Sequence, residues 1–367
     1  MSPDSFTTEL LALALAVVSA AGLGLLWGAG RGHARMAVRA AAVLACLLTA
    51  SATAAVWVNR QVDAYPTWSS LAGSGNAADS VATPADPAGA GRIVSMTVPG
   101  KVSGLSLPLY VYLPAAYAKQ PGTRFPVVEA LHGYPGTPLQ WFHKMHVAAV
   151  LDSEMAAARM APTVVVFPYQ TPDTMLDTEC TNLVNGPQTE TLLTVDVPAA
   201  VRARFHVRTD AAGWGLAGYS AGGYCATDLL LRHPGEYAAA ASLSGYATPG
   251  IRVGDGSENT LYNDVWRLKH LPVPAVALYL ACARTDLAPL HSTVALARAA
   301  RAPLSVTTSY VGGGGHNSAT WQALEAPAFD WLSASLGRPV PQAGRTPGST
   351  PAVRAAGGPG QPVGAAA

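Results

Sequence analysis

The sequence predicts an α/β domain with a mostly parallel sheet, preceded by two membrane-spanning helices that form a hairpin. Between residues 92 and 337, short continuous apolar runs alternate with Ala-rich helical stretches. This alternation is typical of a parallel sheet covered by helices on both faces. Two apolar runs of about twenty residues precede that region, and each is long enough to cross a bilayer. A chain of 367 residues has room for one α/β domain together with such additions.

The two apolar runs, at about 9–28 and 36–58, predict transmembrane helices. About twenty residues, each rising 1.5 Å, cross the ~30 Å hydrocarbon core of a membrane. Arg31 and Arg35 lie between the runs, and positive charge in a short loop favours the cytoplasmic side. We therefore expect the N-terminus and everything after the second helix to lie outside the cytoplasm.

An export signal is the alternative interpretation of the second run. Translation from Met36 would place Arg39, an apolar core and the small residues 50–55 in the order of a cleaved or anchored signal peptide. The two interpretations agree on the compartment, because each places the α/β domain on the extracytoplasmic side of the cell membrane.

Two stretches rich in Ala, Gly, Ser and Pro flank the α/β region and lack periodicity. Such a composition cannot bury enough apolar area to offset the entropy of ordering the chain. In chain order, the sequence predicts a transmembrane hairpin at 1–59, a flexible linker at 60–91, an α/β domain at 92–337 and a disordered tail at 338–367.

Within the domain, β-branched and apolar runs predict the strands, and Ala-rich runs predict the helices. The predicted strands are 109–113, 125–131, 163–167, 214–217, 238–243, 276–281 and 304–311. The predicted helices are 145–159, 198–205, 221–232 and 291–301.

Composition and charge exclude several classes of function. Lys and Arg number 23 against 22 Asp and Glu, giving a net charge of +1, so a nucleic-acid binder with a basic surface is not expected. Because 50% of the residues are hydrophobic, the chain is not expected to be disordered along its whole length. His143 and His146 are spaced for one helix face, but no Cys, His or carboxylate set completes four ligands at a recognisable spacing. No metal and no other cofactor is therefore expected.

The chemistry is predicted by the run Gly-Tyr-Ser-Ala-Gly at 218–222, which matches G-x-S-x-G. A predicted strand precedes it and a predicted helix follows, so Ser220 occupies a tight turn that exposes its hydroxyl as a nucleophile. The alternative is a glycine-rich turn with an incidental serine.

A serine hydroxyl needs a base to remove its proton, and the base needs an acid to orient it. After this motif the acid and then the base should follow along the chain. His316 lies in a glycine-rich loop after the last predicted strand and is the candidate base. Asp286 follows the preceding strand and is the candidate acid, with Asp255 and Glu258 as alternatives.

The oxyanion formed during acyl transfer needs two backbone N–H donors, one of them from the residue after the nucleophile. That residue is Ala221. The second donor is predicted to be the amide of Tyr134, in the loop after the strand at 125–131, where Gly133 and Gly136 permit the required turn. An ordinary turn is the alternative for this loop.

The cysteines suggest one bridge, because an oxidising compartment is expected. Cys46 lies in a predicted membrane helix. Cys225 is five residues after Ser220, and Cys180 lies in a loop after the strand at 163–167. We predict a Cys180–Cys225 disulfide beside the active site, with Cys282 buried and free.

These residues resemble an esterase family that groups esterase-D-type carboxylesterases with secreted mycolyltransferases. The matching pieces are Phe125-Pro126-Val127-Val128, His132-Gly133, the motif around Ser220, Ser242-Leu243-Ser244-Gly245, Asp286, His316 and Trp321. The resemblance spans roughly 95–336. It implies an α/β-hydrolase fold and acyl transfer through a serine ester, to water or to a sugar hydroxyl. In the mycolyltransferases, the positions of His132 and Pro135 hold Asp and Arg.

The sequence thus predicts a membrane-tethered, extracytoplasmic serine esterase or acyltransferase that acts on carboxylic esters through an acyl-serine. Its expected partners are a small-molecule or lipid ester and possibly a sugar acceptor. Mycolyltransferase-like transfer to a sugar is one alternative, and a catalytically silent cell-surface binding protein is another. A peptidase has no specificity feature to support it.

Overall fold

The structure is a computed structural model that describes residues 2–3, 5–62, 65, 68–71 and 90–342. Most of the predicted linker, and the predicted tail from residue 343 onward, lie outside the described residues. The predicted flexibility of those two segments therefore stays a prediction.

Ten strands are present in the described part of the chain. They are β1 (Arg92–Pro99), β2 (Ser106–Leu113), β3 (Thr123–Arg124), β4 (Val127–Leu131), β5 (Val164–Pro168), β6 (Trp214–Tyr219), β7 (Ala239–Leu243), β8 (Ala277–Ala283), β9 (Ser305–Val311) and β10 (Val340–Pro341).

The α-helices of the described residues range from three residues to thirty-one. They are α1 (Phe6–Leu26), α2 (Gly32–Val62), α3 (Trp68–Leu71), α4 (Ala115–Lys119), α5 (Leu139–His143), α6 (Val147–Ala156), α7 (Thr189–Thr191), α8 (Val197–Arg204), α9 (Ala221–Arg232), α10 (Asp264–His270), α11 (Leu287–Ala299) and α12 (Ser318–Ser335). A π-helical turn, Leu192–Asp196, leads into α8, and short 3₁₀ turns occur at Ala211–Gly213 and Ser257–Asn259.

Eight strands form one sheet in the order β1-β2-β5-β4-β6-β7-β8-β9. The pairs β1–β2 and β2–β5 are antiparallel, and the other five pairs are parallel. Every residue of β4, β5, β6 and β7 is buried, because helices cover both faces of the sheet. The prediction of a mostly parallel sheet is confirmed.

Several elements differ from the sequence prediction. Strand β1 was missed because it is an edge strand whose residues are mostly exposed or half-buried, so it has no continuous apolar run. Helix α12 was missed as well, and it contains Pro327 in its interior. Strand β10 pairs with β3, so the folded domain extends past residue 337.

Two apolar clusters lie on opposite faces of the sheet. One includes side chains of α8, α9, α10 and α11, and the other includes side chains of α5, α6 and α12. Because β4, β6, β7, β8 and β9 are parallel, the loops that follow them meet at one edge of the sheet. That edge carries the predicted site residues.

Helices α1 and α2 pack as an antiparallel hairpin. Arg60, near the end of α2, lies 5.0 Å from the centre of the Phe6 ring at the start of α1. At the other end, the Arg39 guanidinium lies 4.6 Å from the Trp27 ring. The most apolar stretches of the two helices have mean hydropathies of 2.2 and 2.0. No residue within these two stretches is buried. Both helices are long and apolar enough to cross a membrane.

Candidate active site

Ser220 lies in the tight turn between β6 and α9. Its backbone has φ 56° and ψ −124°, a conformation that costs free energy for any residue except glycine. The turn is held in place because the amide of Ser220 donates a hydrogen bond of 2.9 Å to the carbonyl oxygen of Leu243. The strained turn places the serine at the carboxyl edge of the sheet, with 6% of its surface exposed.

The two glycines of the motif are required by close backbone contacts. A Cβ on Gly218 would lie 2.0 Å from the carbonyl oxygen of Gly222. A Cβ on Gly222 would lie 2.2 Å from the carbonyl oxygen of Leu131. Strand and helix can therefore approach each other at this turn only if both positions lack a side chain.

The structure brings Ser220, His316 and Asp286 together in a chain of hydrogen bonds. The Oγ of Ser220 lies 2.8 Å from Nε2 of His316. The other ring nitrogen of His316, Nδ1, lies 2.8 Å from Oδ2 of Asp286. Asp286 is at the start of α11, directly after β8, and His316 lies in the loop between β9 and α12. Such an arrangement can activate a serine hydroxyl.

The alternative acids lie elsewhere. Asp255 accepts a hydrogen bond of 2.9 Å from the amide of Ser257. Glu258 accepts one of 3.2 Å from the amide of Val253. Both carboxylates thus bind the backbone of their own loop, whereas the carboxylate of Asp286 contacts the imidazole.

The loop after β4 lies directly against Ser220. A Cβ on Gly133 would be 3.2 Å from Cβ of Ser220. The next residue, Tyr134, lines the same cleft as Ser220, and its ring hydroxyl donates a hydrogen bond of 2.9 Å to the carbonyl oxygen of Met175. Ala221 follows Ser220 at the start of α9 and is 5% exposed. Both residues named as oxyanion donors are therefore adjacent to the serine.

His132 and Gln170 hold the base of this loop. The amide of His132 donates a hydrogen bond to Oε1 of Gln170, and Nε2 of Gln170 donates one of 3.1 Å to the carbonyl oxygen of His132. Burial lowers the pKa of His132 to about 4, against the opposing effect of its hydrogen bond with the Gly133 carbonyl. The imidazole of His132 is therefore neutral at pH 7.

A disulfide lies behind the same loop. Cys180 and Cys225 are bonded with an S–S distance of 2.02 Å, and Nε2 of Gln170 lies 3.4 Å from the sulfur of Cys180. The bridge therefore ties the loop that carries Cys180 to α9, beside the residue that holds His132. Cys282 is free and buried, and Cys46 is free in α2.

Sequence reasoning missed Tyr246 and Gln170. The hydroxyl of Tyr246 lies 3.1 Å from Nε2 of His316, so two hydroxyl groups approach the same ring nitrogen. Tyr246 directly follows the Ser-Leu-Ser-Gly run at the end of β7, which was the only signal for it. Trp321, named in the resemblance alone, stands edge-on to the His316 ring at 5.2 Å between ring centres.

The two histidines considered for metal binding are exposed, His143 at the end of α5 and His146 just before α6. In the described part of the chain, no group of three or more His, Cys, Asp or Glu side chains could hold a metal ion.

The serine opens into a cleft of about 310 Å³. Its walls include Gly133, Tyr134, Lys144, Met145, His316 and Trp321. The cleft is of the size that a small acyl or alcohol group requires, and it exposes both Ser220 and His316 to an incoming substrate.

Comparison with known families gives the classification. A family model described as "Putative esterase" matches residues 102–334, which is more than half of the chain. The chain belongs to this esterase family. The resemblance stated from the sequence is confirmed at the level of the family, and the match includes all the residues placed at the cleft.

Solved esterases show the same fold. A ferulic acid esterase is 20% identical, with a TM-score of 0.58 covering 68% of this chain and 99% of its own. An S-formylglutathione hydrolase from Agrobacterium tumefaciens is 15% identical, with a TM-score of 0.58 covering 70% of this chain and 99% of its own. The predicted α/β-hydrolase fold is confirmed.

A curated relative extends beyond the shared region. An uncharacterized protein of Corynebacterium glutamicum is 24% identical over 241 residues, which are 61% of this chain and 56% of that protein. This esterase therefore matches little more than half the length of the curated relative.

Proposed function

We propose that this esterase is a serine hydrolase of carboxylic esters, anchored in a membrane by its N-terminal hairpin, with its catalytic domain on the extracytoplasmic side. The observation that carries the proposal is the pair of 2.8 Å hydrogen bonds that joins Ser220 to His316 and His316 to Asp286. The strained turn at Ser220 and the cleft beside it support the same assignment.

In the first half of the reaction, Oγ of Ser220 attacks the ester carbonyl carbon while Nε2 of His316 takes the hydroxyl proton. Asp286 keeps the proton of His316 on Nδ1 and stabilises the imidazolium that forms. The negative carbonyl oxygen accepts hydrogen bonds from the amides of Ala221 and Tyr134. The carbon–oxygen bond to the alcohol then breaks, and His316 returns its proton to the leaving alcohol.

In the second half, water attacks the acyl-serine. His316 takes a proton from the water, and the tetrahedral intermediate is stabilised by the same two amides. Collapse breaks the bond to Oγ, His316 protonates Ser220, and the carboxylic acid leaves. Transfer to a sugar hydroxyl would use the same acyl-serine, with the sugar in place of water. Neither route requires a cofactor.

The location follows from charge and redox chemistry. Arg31 lies in the turn between α1 and α2, and Arg35 lies in the first turn of α2; positive charge at a short loop favours the cytoplasm. The catalytic domain follows α2, so it lies on the opposite side of the membrane. The Cys180–Cys225 bridge supports this, because structural disulfides persist in oxidising compartments.

The test is labelling with a fluorophosphonate probe together with a panel of p-nitrophenyl esters, assayed with and without added sugars. We expect the probe to modify the peptide that contains Ser220, and Ser220→Ala to lower kcat/KM by at least about a thousandfold. Unlabelled protein without esterase activity would instead support a silent binding protein. Sugar-dependent product formation would show transfer.

A further inference from the structure

A second cavity lies between the membrane hairpin and the catalytic domain. It has a volume of about 440 Å³. Its walls are apolar apart from Asn59 and Tyr65, and they include Ala54, Ala55, Val58, Trp68, Pro135 and Met175. We call this cavity the chamber. One wall is formed by the N-terminal part of the chain, mainly α2 and α3, and the other by Pro135 and Met175 from two loops of the catalytic domain.

The chamber adjoins the cleft of Ser220. Pro135 lines both cavities, and it follows Tyr134, whose amide is the proposed oxyanion donor. The Tyr134 hydroxyl bonds the carbonyl of Met175, which lines the chamber. At the cleft rim, Nζ of Lys144 donates a hydrogen bond to the carbonyl oxygen of Arg60 at the end of α2. The cleft and the chamber are therefore neighbours, separated by the loop that carries Pro135.

The chamber lies near the end of α2. That helix has 31 residues, so it is about 46 Å long and exceeds the ~30 Å hydrocarbon core. The chamber residues of α2, between 54 and 59, belong to its last turns, on the side of the catalytic domain. Trp57 and Trp68 are each 52% exposed nearby, and exposed tryptophans are typical of the membrane–water interface. The chamber therefore lies where acyl chains meet lipid headgroups.

We propose that the chamber binds the acyl chain of a lipid ester taken from the membrane, and that this chain directs the ester carbonyl to Ser220. An apolar wall favours hydrocarbon and offers almost no hydrogen-bonding group to a polar ligand. The hairpin is thus part of the substrate site as well as an anchor. This inference rests on the serine esterase function proposed above, and it names the substrate class as long-chain lipid esters.

The test compares a long and a short substrate, p-nitrophenyl palmitate and p-nitrophenyl acetate, with the full chain in lipid nanodiscs. Ala55→Trp fills the chamber from the helix side, and Met175→Lys places a charge in it from the domain side. For both variants, we expect the ratio of long-chain to short-chain kcat/KM to fall at least tenfold.

Two substitutions of the same kind serve as controls. Ala50 is exposed on the same helix, and Leu261 is 44% exposed on the catalytic domain; neither lines the chamber. With Ala50→Trp and Leu261→Lys, the ratio should remain within twofold of the wild-type value. Hydrolysis of the acetate shows that each variant is folded.

The outcomes separate the two proposals. If the ratio does not change in Ala55→Trp and Met175→Lys while hydrolysis still depends on Ser220, the chamber proposal is wrong and the esterase proposal stands. The same holds if the wild-type protein hydrolyses the acetate but not the palmitate. If Ser220→Ala retains hydrolysis of both esters, the esterase proposal itself is wrong.

Discussion

The turn that holds Ser220 and the loop that holds His316 are built in opposite ways. Ser220 is 6% exposed, and its backbone is enclosed between β6, α9 and the loop after β4. His316 follows four consecutive glycines, and its side chain is 30% exposed. One site residue is therefore positioned by backbone sterics, and the other by side-chain contacts.

This difference predicts which positions of the site tolerate substitution. Where backbones are in close contact, an added side chain cannot be accommodated without moving the backbone, because protein interiors are densely packed and added volume destabilises them. Hydrogen bonds from a partly exposed side chain can weaken by degrees. We therefore expect larger losses of activity from changes at the serine turn than from changes around the histidine.

The largest effect is expected from Gly222→Ala. The added Cβ would lie 2.2 Å from the carbonyl oxygen of Leu131 and 2.6 Å from that of His132, so the turn must move away from the loop after β4. We expect kcat/KM for p-nitrophenyl acetate to fall by more than ~10⁴, because the shift displaces both the serine nucleophile and the Ala221 amide, and loss of one oxyanion donor alone costs ~10²–10³.

The matched control is Gly313→Ala in the histidine loop. No atom lies within 4 Å of a Cβ at that position, so activity should stay within about twofold. Equal losses in the two variants would show that the serine turn is no more constrained than the histidine loop. Circular dichroism of both variants separates a local shift from unfolding.

The next effect is expected from Asp286→Asn. An amide in place of the carboxylate leaves the shape of the site intact but favours the wrong imidazole tautomer, so kcat should fall by ~10³–10⁴. Asp255→Asn is the control, because Asp255 bonds the backbone of its own loop, and it should retain wild-type kcat. The reverse result would reassign the acid.

A smaller effect is expected from Tyr246→Phe. Its hydroxyl lies 3.1 Å from Nε2 of His316, and one neutral hydrogen bond contributes about 0.5–1.5 kcal/mol. We expect kcat/KM to change by roughly two- to tenfold. A loss comparable to that of Ser220→Ala would make Tyr246 a participant in the proton transfers rather than a neighbour of the base.

The smallest effect on activity is expected from Glu325→Gln in α12, the helix that follows the histidine loop. Glu325 is fully buried, its two oxygens have no hydrogen-bond partner among the described residues, and burial raises its pKa from 4.5 to about 9. The folded protein therefore keeps this carboxyl protonated at neutral pH while the unfolded chain ionises it. The contribution of Glu325 to the free energy of unfolding is therefore lost as the pH rises from about 4.5 to about 9.

Because glutamine does not ionise, the Glu325→Gln variant takes up no proton at this position when it folds. We expect its melting temperature to exceed the wild-type value by a few degrees at pH 8 and to match it near pH 4.5, while kcat/KM stays unchanged. An equal gain at both pH values would contradict the raised pKa.

The local patterns of the chain were enough for much of the fold. Buried parallel strands appear as continuous apolar runs, so β4 and β5 were found within a few residues of their observed ends. Edge strand β1 was missed, because a strand covered on one side only has fewer apolar residues. The Gly-x-Ser-x-Gly run predicted a strand, a turn and a helix, since its spacing reflects contacts within a few residues.

By itself, then, the sequence determined the parallel sheet, the apolar hairpin and the turn around Ser220, because each depends on residues close together in the chain. Only the tertiary structure decided that Asp286, rather than Asp255 or Glu258, contacts His316. It alone placed Tyr246 at the imidazole and Gln170 between the disulfide and the loop after β4. Those contacts join residues between 10 and 70 positions apart, and local patterns carry no information about which distant side chains meet.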